Sequence, residues 1–280
     1  GLLPEGALSM VVGGAGDMLD HLESNDVVAF TGSAATGALI KGNANIVSKN
    51  VAVTVEADSL NAAVLCPNIK VDSPTWEMFV NEILNDLTQK AGQKCTATRR
   101  ILVPSTLLDD VKERFIEELE ATRVGNPALR GVKVGPLATP DQLNDFNAGI
   151  SKLKTQASVI FGDKPPTLTD IKGDQGYFVS PTLLQANGED LSLINSVEVF
   201  GPNATLIPYD GLAKTAVGIV AAGGGSLVTS IYSDDKAFLQ EAVLGCAPFN
   251  GRIHVGGKKV VDASPGPGTV MPQMVHGGPG

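Results

Sequence analysis

Cys95 sits in Gly92-Gln93-Lys94-Cys95-Thr96, a glycine-led turn between an apolar-striped helix and an apolar strand. A cysteine acts as a nucleophile when it is exposed, has a lowered pKa, and lies near backbone N–H groups that receive a developing oxyanion. A glycine turn supplies such geometry. Free cysteines are also commonly buried and inert, so this segment alone leaves both readings open. Glu56 directly follows the apolar run Val51 to Val55. A carboxylate at the end of a buried parallel strand lies where α/β proteins bind ligands. The competing reading is a capping or surface acid, and Asp58 is the rival for any catalytic part. Thr31-Gly32-Ser33 follows Val27 to Phe30 and opens a helix. Small residues there let backbone N–H groups approach a phosphate, although a plain strand-to-helix turn uses the same residues. Glu198-Val199-Phe200-Gly201-Pro202 joins an acid suited to ribose hydroxyls with a ring suited to nicotinamide. A solvated acid beside a core phenylalanine reads equally well.

Other chemistries find little support. His21, His254 and His276 are isolated, and no Cys or His pair stands at metal-ligand spacing, so no metal site is expected. Gly13-Gly14-Ala15-Gly16 is not a Rossmann fingerprint, and no P-loop is present. With 21 basic and 30 acidic residues the net charge is −9, which argues against a nucleic-acid partner. No apolar run reaches the roughly 18 residues of a membrane span. Cys66, Cys95 and Cys246, odd in number and far apart, fit a reducing cytoplasm.

The elements that must position these residues alternate strand and helix, which predicts an α/β fold with a mostly parallel sheet. Strands are expected at Leu8 to Val12, Val27 to Phe30, Val51 to Val55, Ala62 to Leu65, Ile101 to Val103, Ser158 to Phe161, Ala204 to Ile207, Leu227 to Tyr232 and Arg252 to Val255, with Phe178 to Leu184 extended. A short helix is expected over 17–24 and a longer one over 32–47. Pro74 suits the start of a helix running to Ala91, with Phe79, Ile83 and Leu87 four apart on one face. Leu108, Val111, Phe115 and Leu119 stripe another. Further helices are expected over 141–156, 212–222 and 234–244. Segments 125–140 and 164–175 read as loop and surface excursion, and the Gly/Pro-rich 262–280 as irregular. Both chain ends read as loops cut through a longer protein.

Taken in order, Phe30-Thr31-Gly32-Ser33, an acid after a strand, Gly92-Gln93-Lys94-Cys95, Gly135-Pro136-Leu137, Pro181-Thr182-Leu183 and Glu198-Val199-Phe200-Gly201-Pro202 form a set that resembles the aldehyde dehydrogenase superfamily along essentially the whole chain. Val55-Glu56-Ala57-Asp58-Ser59-Leu60-Asn61, Lys90 to Ala97 with Arg99-Arg100, and the tail Met271-Pro272-Gln273 to Gly280 resemble the branch that oxidises CoA-thioester semialdehydes in phenylacetate and benzoyl-CoA degradation. The usual Glu-Leu-Gly-Gly is here Glu56-Ala57-Asp58-Ser59, which suits that branch. The resemblance implies part of a Rossmann-type cofactor domain over 1–57, an α/β catalytic domain over 58–262, and a segment over 263–280 returning to the cofactor domain. It implies Cys95 as nucleophile and Glu56 as general base. It implies Gly32 and Ser33 at the cofactor phosphates, and Glu198 and Phe200 at the nicotinamide ribose and ring. The implied cofactor is NADP, with NAD as the alternative. The implied substrate is an aldehyde, possibly CoA-linked, and the implied assembly is a homo-oligomer. An oxyanion-hole asparagine and a ribose lysine belong to a preceding region, so the chain by itself is expected to turn over little or nothing. Two rivals stand beside this reading. A CoA-acylating relative is disfavoured by the acid at Glu56, because those relatives lack a base there. A scaffold with an ordinary buried Cys95 is the other.

Overall fold

In the computed structural model, which describes residues 2–173 and 175–270, strands and helices alternate in two compact units, Gly1–Ala57 and Asp58–Gly280. The first unit holds β1 (Val27–Gly32), α1 (Ala34–Lys41), α2 (Ala44–Lys49) and β2 (Ala52–Ala57). β1 and β2 pair in parallel, with Thr31 opposite Glu56 and Gly32 opposite Ala57. Ser33 caps α1, its Oγ accepting from the Thr36 N–H at 3.2 Å.

Several expectations for this unit need correction. The helix expected over 32–47 is two helices, because Asn43 takes extended backbone and its side chain caps the N–H groups of Asn45 and Ile46. The helix expected over 17–24 is only the 3-10 turn Met18–His21. Leu8 to Val12 forms no strand, and Leu8, Met10 and Val12 are exposed. A strand needs a ladder partner, and no described strand pairs with this run. Val27 to Phe30 was expected to be buried, yet Val27 is 70% exposed. Apolar composition marks a strand without revealing whether a second layer covers it.

The second unit contains β3 (Ala62–Leu65), α3 (Pro74–Thr88), β4 (Arg100–Pro104), α4 (Leu108–Glu120), β5 (Arg123–Gly125), β6 (Val132–Val134), α5 (Pro140–Leu153), β7 (Ala157–Phe161), β8 (Leu168–Thr169), β9 (Thr182–Ala186), β10 (Asn203–Tyr209), α6 (Ala213–Ala221), β11 (Ser226–Tyr232), α7 (Lys236–Cys246) and β12 (Asn250–Gly256). Its main sheet has seven strands in the order β12-β11-β3-β4-β10-β9-β7. All neighbours are parallel except β7, which runs antiparallel to β9 at the edge. β3, β4 and β11 are buried along their whole length, as parallel strands covered on both faces must be. β5, β6 and β8 form a small parallel sheet, with β6 and β8 inside the segments expected to be loop and excursion and β5 ending where the first of them begins. Strands of two or three residues are too short to show a period.

α3 begins at Pro74, with the Ser73 side chain capping the Trp76 N–H. Phe79, Ile83 and Leu87 face inward, and Phe79 packs on Phe115 of α4 and Tyr232 of β11 with ring centroids 5.6 and 5.3 Å apart. The helix stops at Thr88 rather than at Ala91. Lys90, Ala91 and Gly92 take left-handed backbone (φ 55°, 54° and 66°), which no α-helix tolerates. The turn into Cys95 therefore starts earlier than the periodicity indicates. Residues 262–270 carry no helix or strand, and residues 271–280 of the expected return segment lie outside the described residues.

Candidate active site

Open parallel sheets usually gather ligands at the carboxyl ends of their strands. The second unit does the reverse. Asn61 immediately precedes β3, the Cys95 loop runs into β4, and Glu198 and Phe200 lie just before β10. The register sets Ala62 beside Arg100 and Arg100 beside Thr205, so these amino ends lie in line. The carboxyl-end argument used for Glu56 applies to β2 alone.

Asn61 was not singled out from the sequence, yet it organises the loop. Its Nδ2 donates to the carbonyls of Cys95 (2.8 Å) and Ala97 (3.0 Å), and its Oδ1 accepts from Ser59 Oγ (2.8 Å) and the Val228 N–H (3.0 Å). Both amide protons and both lone-pair directions are thus used. Asp86, buried on α3, holds the loop's flanks. Its Oδ1 accepts from Lys94 Nζ at 2.6 Å, and its Oδ2 accepts from Thr98 Oγ1 at 3.1 Å. With its backbone fastened on both sides, the loop leaves Cys95 exposed, while Cys66 and Cys246 are buried. Burial pushes both buried thiols up, Cys246 to about 11.

Cys95 lines a cavity of about 610 Å³. One wall is the polar face of α3, with Glu82 and Asn85, continued by Gln89 just past its end, and the other is the irregular segment 265–270. Two contacts fix that segment. Ser264 Oγ donates to Glu82 Oε1 at 2.7 Å, and Arg252 Nη2 donates to the Pro267 carbonyl at 3.1 Å. Burial by itself would raise the Glu82 carboxyl, but hydrogen bonds from His254, Tyr232 and Ser264 hold it below the ordinary range. His254 is accordingly structural.

The turn before Cys95 and the turn carrying Glu198 and Phe200 are packed backbone to backbone. A Cβ on Gly92 would collide with the carbonyl of Gly201, so glycine is required there for contact as well as for its φ of 66°. Phe200 presents a ring that is 38% exposed. The Glu198 side chain is only 9% exposed, and its Oε1 makes no hydrogen bond among the described residues. An orphaned carboxylate oxygen beside an open phenyl ring fits a hydroxyl-bearing sugar attached to a flat heterocycle.

Glu198 is pushed up to about 7 by burial, against the opposing pull of Arg99 and the Ser59 N–H. A carboxyl whose folded pKa lies above its unfolded value near 4.5 contributes stability that is fully present below that value and lost as pH rises through about 7. The amount is on the order of 3 kcal/mol. Glu198→Gln should therefore gain melting temperature relative to the parent between pH 5 and pH 8. Equal differences at both pH values would exclude a buried, titrating Glu198.

The remaining sequence-predicted residues lie on the first unit. Glu56 is the penultimate residue of β2 and half-buried, Gly32 closes β1, and Ser33 caps α1. A Cβ at Gly32 would meet the ring of Phe30 at 2.5 Å. The six candidates thus fall into two groups, one on each unit. Among the described residues no cluster of metal-ligating side chains occurs, and no helix is long and apolar enough to cross a membrane.

The parallel-sheet unit thus carries an exposed cysteine in a tied glycine turn and, on the turn packed against it, an acid and a phenyl ring. The profile of the aldehyde dehydrogenase family matches residues 2–256, and the chain belongs to that family. It is 43% identical, over 100% of its length and 54% of the relative, to 3,4-dehydroadipyl-CoA semialdehyde dehydrogenase of Aromatoleum evansii. A putative aldehyde dehydrogenase of Staphylococcus saprophyticus is 28% identical over 92% of this chain and 52% of its own. The chain spans about half the length of the curated relatives it matches. Among solved structures, a betaine aldehyde dehydrogenase of Staphylococcus aureus in complex with NAD+ shares the fold with a TM-score of 0.78 at 22% identity, covering 94% of this chain and 49% of that one. Lactaldehyde dehydrogenase of Escherichia coli gives 0.73 at 24%, covering 90% and 48%.

Proposed function

We propose that the whole protein oxidises a CoA-thioester semialdehyde to the corresponding acid, with NADP in preference to NAD, through a thioester on Cys95. The observation that carries this reading is the exposed Cys95 in a loop tied by Asn61 and Asp86 at the edge of a cavity. The 43% identity to a CoA-semialdehyde dehydrogenase supports the substrate class. So does the cavity's polar wall, where Asn85 and Gln89 offer amides to a substrate whose far end is a polar thioester.

In this mechanism the Cys95 thiolate adds to the aldehyde carbon and forms a thiohemiacetal. A dinucleotide, when bound, would supply the acceptor for the hydride lost from that carbon, so that a thioester remains on Sγ. Glu56 takes a proton from water, whose oxygen attacks the thioester carbon and releases the acid and the free thiol. Glu198 would accept from the ribose hydroxyls, Phe200 would pack on the nicotinamide, and Gly32 and Ser33 would meet the phosphates. A reducing cytoplasm suits an exposed reactive thiol, and a homo-oligomer is the proposed assembly.

The test is a steady-state assay of the whole protein without added CoA. Free acid should form, and kcat/KM should be higher for a CoA-linked semialdehyde than for the same aldehyde without CoA, and higher with NADP than with NAD. A requirement for added CoA, with acyl-CoA as product, would replace hydrolysis by acyl transfer. Equal kcat/KM for the two aldehydes would remove the CoA-linked substrate.

A further inference from the structure

Arg99 immediately precedes β4 and Arg100 opens it, and successive residues of extended chain point to opposite faces. Arg100 donates to the carbonyls of Leu60, Ile219 and Val220 and to Asn195 Oδ1, all structural partners inside the second unit. Arg99 faces the site. Its backbone is pinned by its N–H to the Asn61 carbonyl at 2.9 Å and by its carbonyl to the Thr205 N–H at 2.8 Å. Its side chain is 3% exposed. One guanidinium nitrogen donates to the Gly92 carbonyl at 2.8 Å and the other to the Gly201 carbonyl at 2.6 Å. Its Cζ lies 5.7 Å from the centre of the Phe200 ring, and its Nε lies 3.8 Å from Glu198 Oε1. A single buried cation therefore touches the turn that delivers Cys95 and every functional part of the turn that delivers Glu198 and Phe200.

A buried guanidinium is costly unless its donors are used and its charge is matched. Two carbonyls use two of the Arg99 nitrogens, and Glu198 supplies the matching charge when it is ionised, above a pH of about 7. The third nitrogen, Nε, and Glu198 Oε1 are both buried and make no hydrogen bond among the described residues. Closing their gap to a charge-assisted hydrogen bond takes a shift of about 1 Å. Movement of Glu198 or Phe200 is then felt at Gly92, three residues before the nucleophile, because the same planar group is bonded to both turns.

We propose that Arg99 is a positioning residue that couples the two turns, so that the acid–phenyl pair and the Cys95 loop keep one fixed spacing. The part of this that concerns a dinucleotide rests on the function proposed above, whereas the coupling of the turns does not.

Two variants of the whole protein test it, with two readouts. Arg99→Lys keeps the charge but cannot bond both carbonyls through a rigid fork. Arg99→Met removes charge and bonds together. The first readout needs no cofactor: alkylation of Cys95 by iodoacetamide, followed by mass spectrometry, with buried Cys66 and Cys246 as slow internal references. Arg99→Lys should change the Cys95 rate by about fivefold or more while still melting cooperatively, because spacing rather than charge is altered. The second readout is the KM for NADP. It should rise about tenfold in Arg99→Lys with kcat changed less, and further in Arg99→Met. If Arg99→Lys stays within about twofold of the parent on both readouts, Arg99 is merely structural and the proposal is overturned. If its alkylation rate shifts while the parent binds neither NADP nor NAD, the cofactor reading fails and the coupling of the turns stands.

Discussion

Cys95→Ala is expected to lower turnover by on the order of 10⁴-fold or more, with the fold and melting temperature nearly unchanged. Cys95 is exposed, so removing its sulfur leaves no buried cavity. The loop is held by the side chains of Asn61 and Asp86 rather than by the thiol. No other cysteine can substitute. Cys66 and Cys246 are buried, and with burial pushing Cys246 to about 11 that group is thiol rather than thiolate at neutral pH. Cys95→Ser should be nearly as inactive, since a hydroxyl is a poor nucleophile without an adjacent base. Steady-state assay of the whole protein, paired with thiol titration, decides the matter. One fast thiol in the parent and none in the variant is the expected pattern, and persistent turnover in Cys95→Ala would move the nucleophile elsewhere.

Glu56→Gln should separate the two halves of the reaction. Attack by Cys95 and hydride loss do not need a base to activate water, so about one equivalent of reduced dinucleotide should appear in a rapid burst. Hydrolysis does need that base, and the following steady rate should fall by about 10²- to 10⁴-fold. Intact mass spectrometry at the end of the burst should find the acyl group on Cys95. Glu56 is half-buried at the end of β2, where the isosteric amide fits without a new cavity, so the burst should equal that of the parent in amplitude. A variant that turns over at the parental rate would remove Glu56 from the role, with Asp58 next in line.

The fold was largely legible in the sequence because its main strands are continuous apolar runs and its main helices carry a clear stripe. Phe79, Ile83 and Leu87 in α3, and Val111, Phe115 and Leu119 in α4, are buried as their spacing requires. What was illegible depended on backbone rather than on side-chain pattern. The left-handed run Lys90, Ala91 and Gly92 cuts α3 short, although lysine and alanine are good helix formers. β5, β6 and β8 are too short to show alternation. Of the site, the residues that do chemistry announced themselves by type and order, while those that hold them did not. Asn61, Asp86 and Arg99 matter through partners 34, 12 and 102 positions away, distances at which spacing carries no information. One signal was available: two adjacent arginines entering a buried apolar strand must each find partners, and both do.

The sheet order has a consequence for how the chain is born. β3 lies inside the sheet, between β4 and β11, yet β11, which pairs Thr229 with Ala62, leaves the ribosome long after β3. At ordinary translation rates the interval is roughly 10–30 s. Throughout it Asn61 lacks the Val228 N–H, and for most of it Arg99 lacks the Gly201 carbonyl. The thiol of Cys95 is already present on the nascent chain, with none of the anchoring that later selects what may react with it. Cys66 is open over the same interval and buried afterwards, so oxidation of that thiol should fall most heavily on newly made molecules.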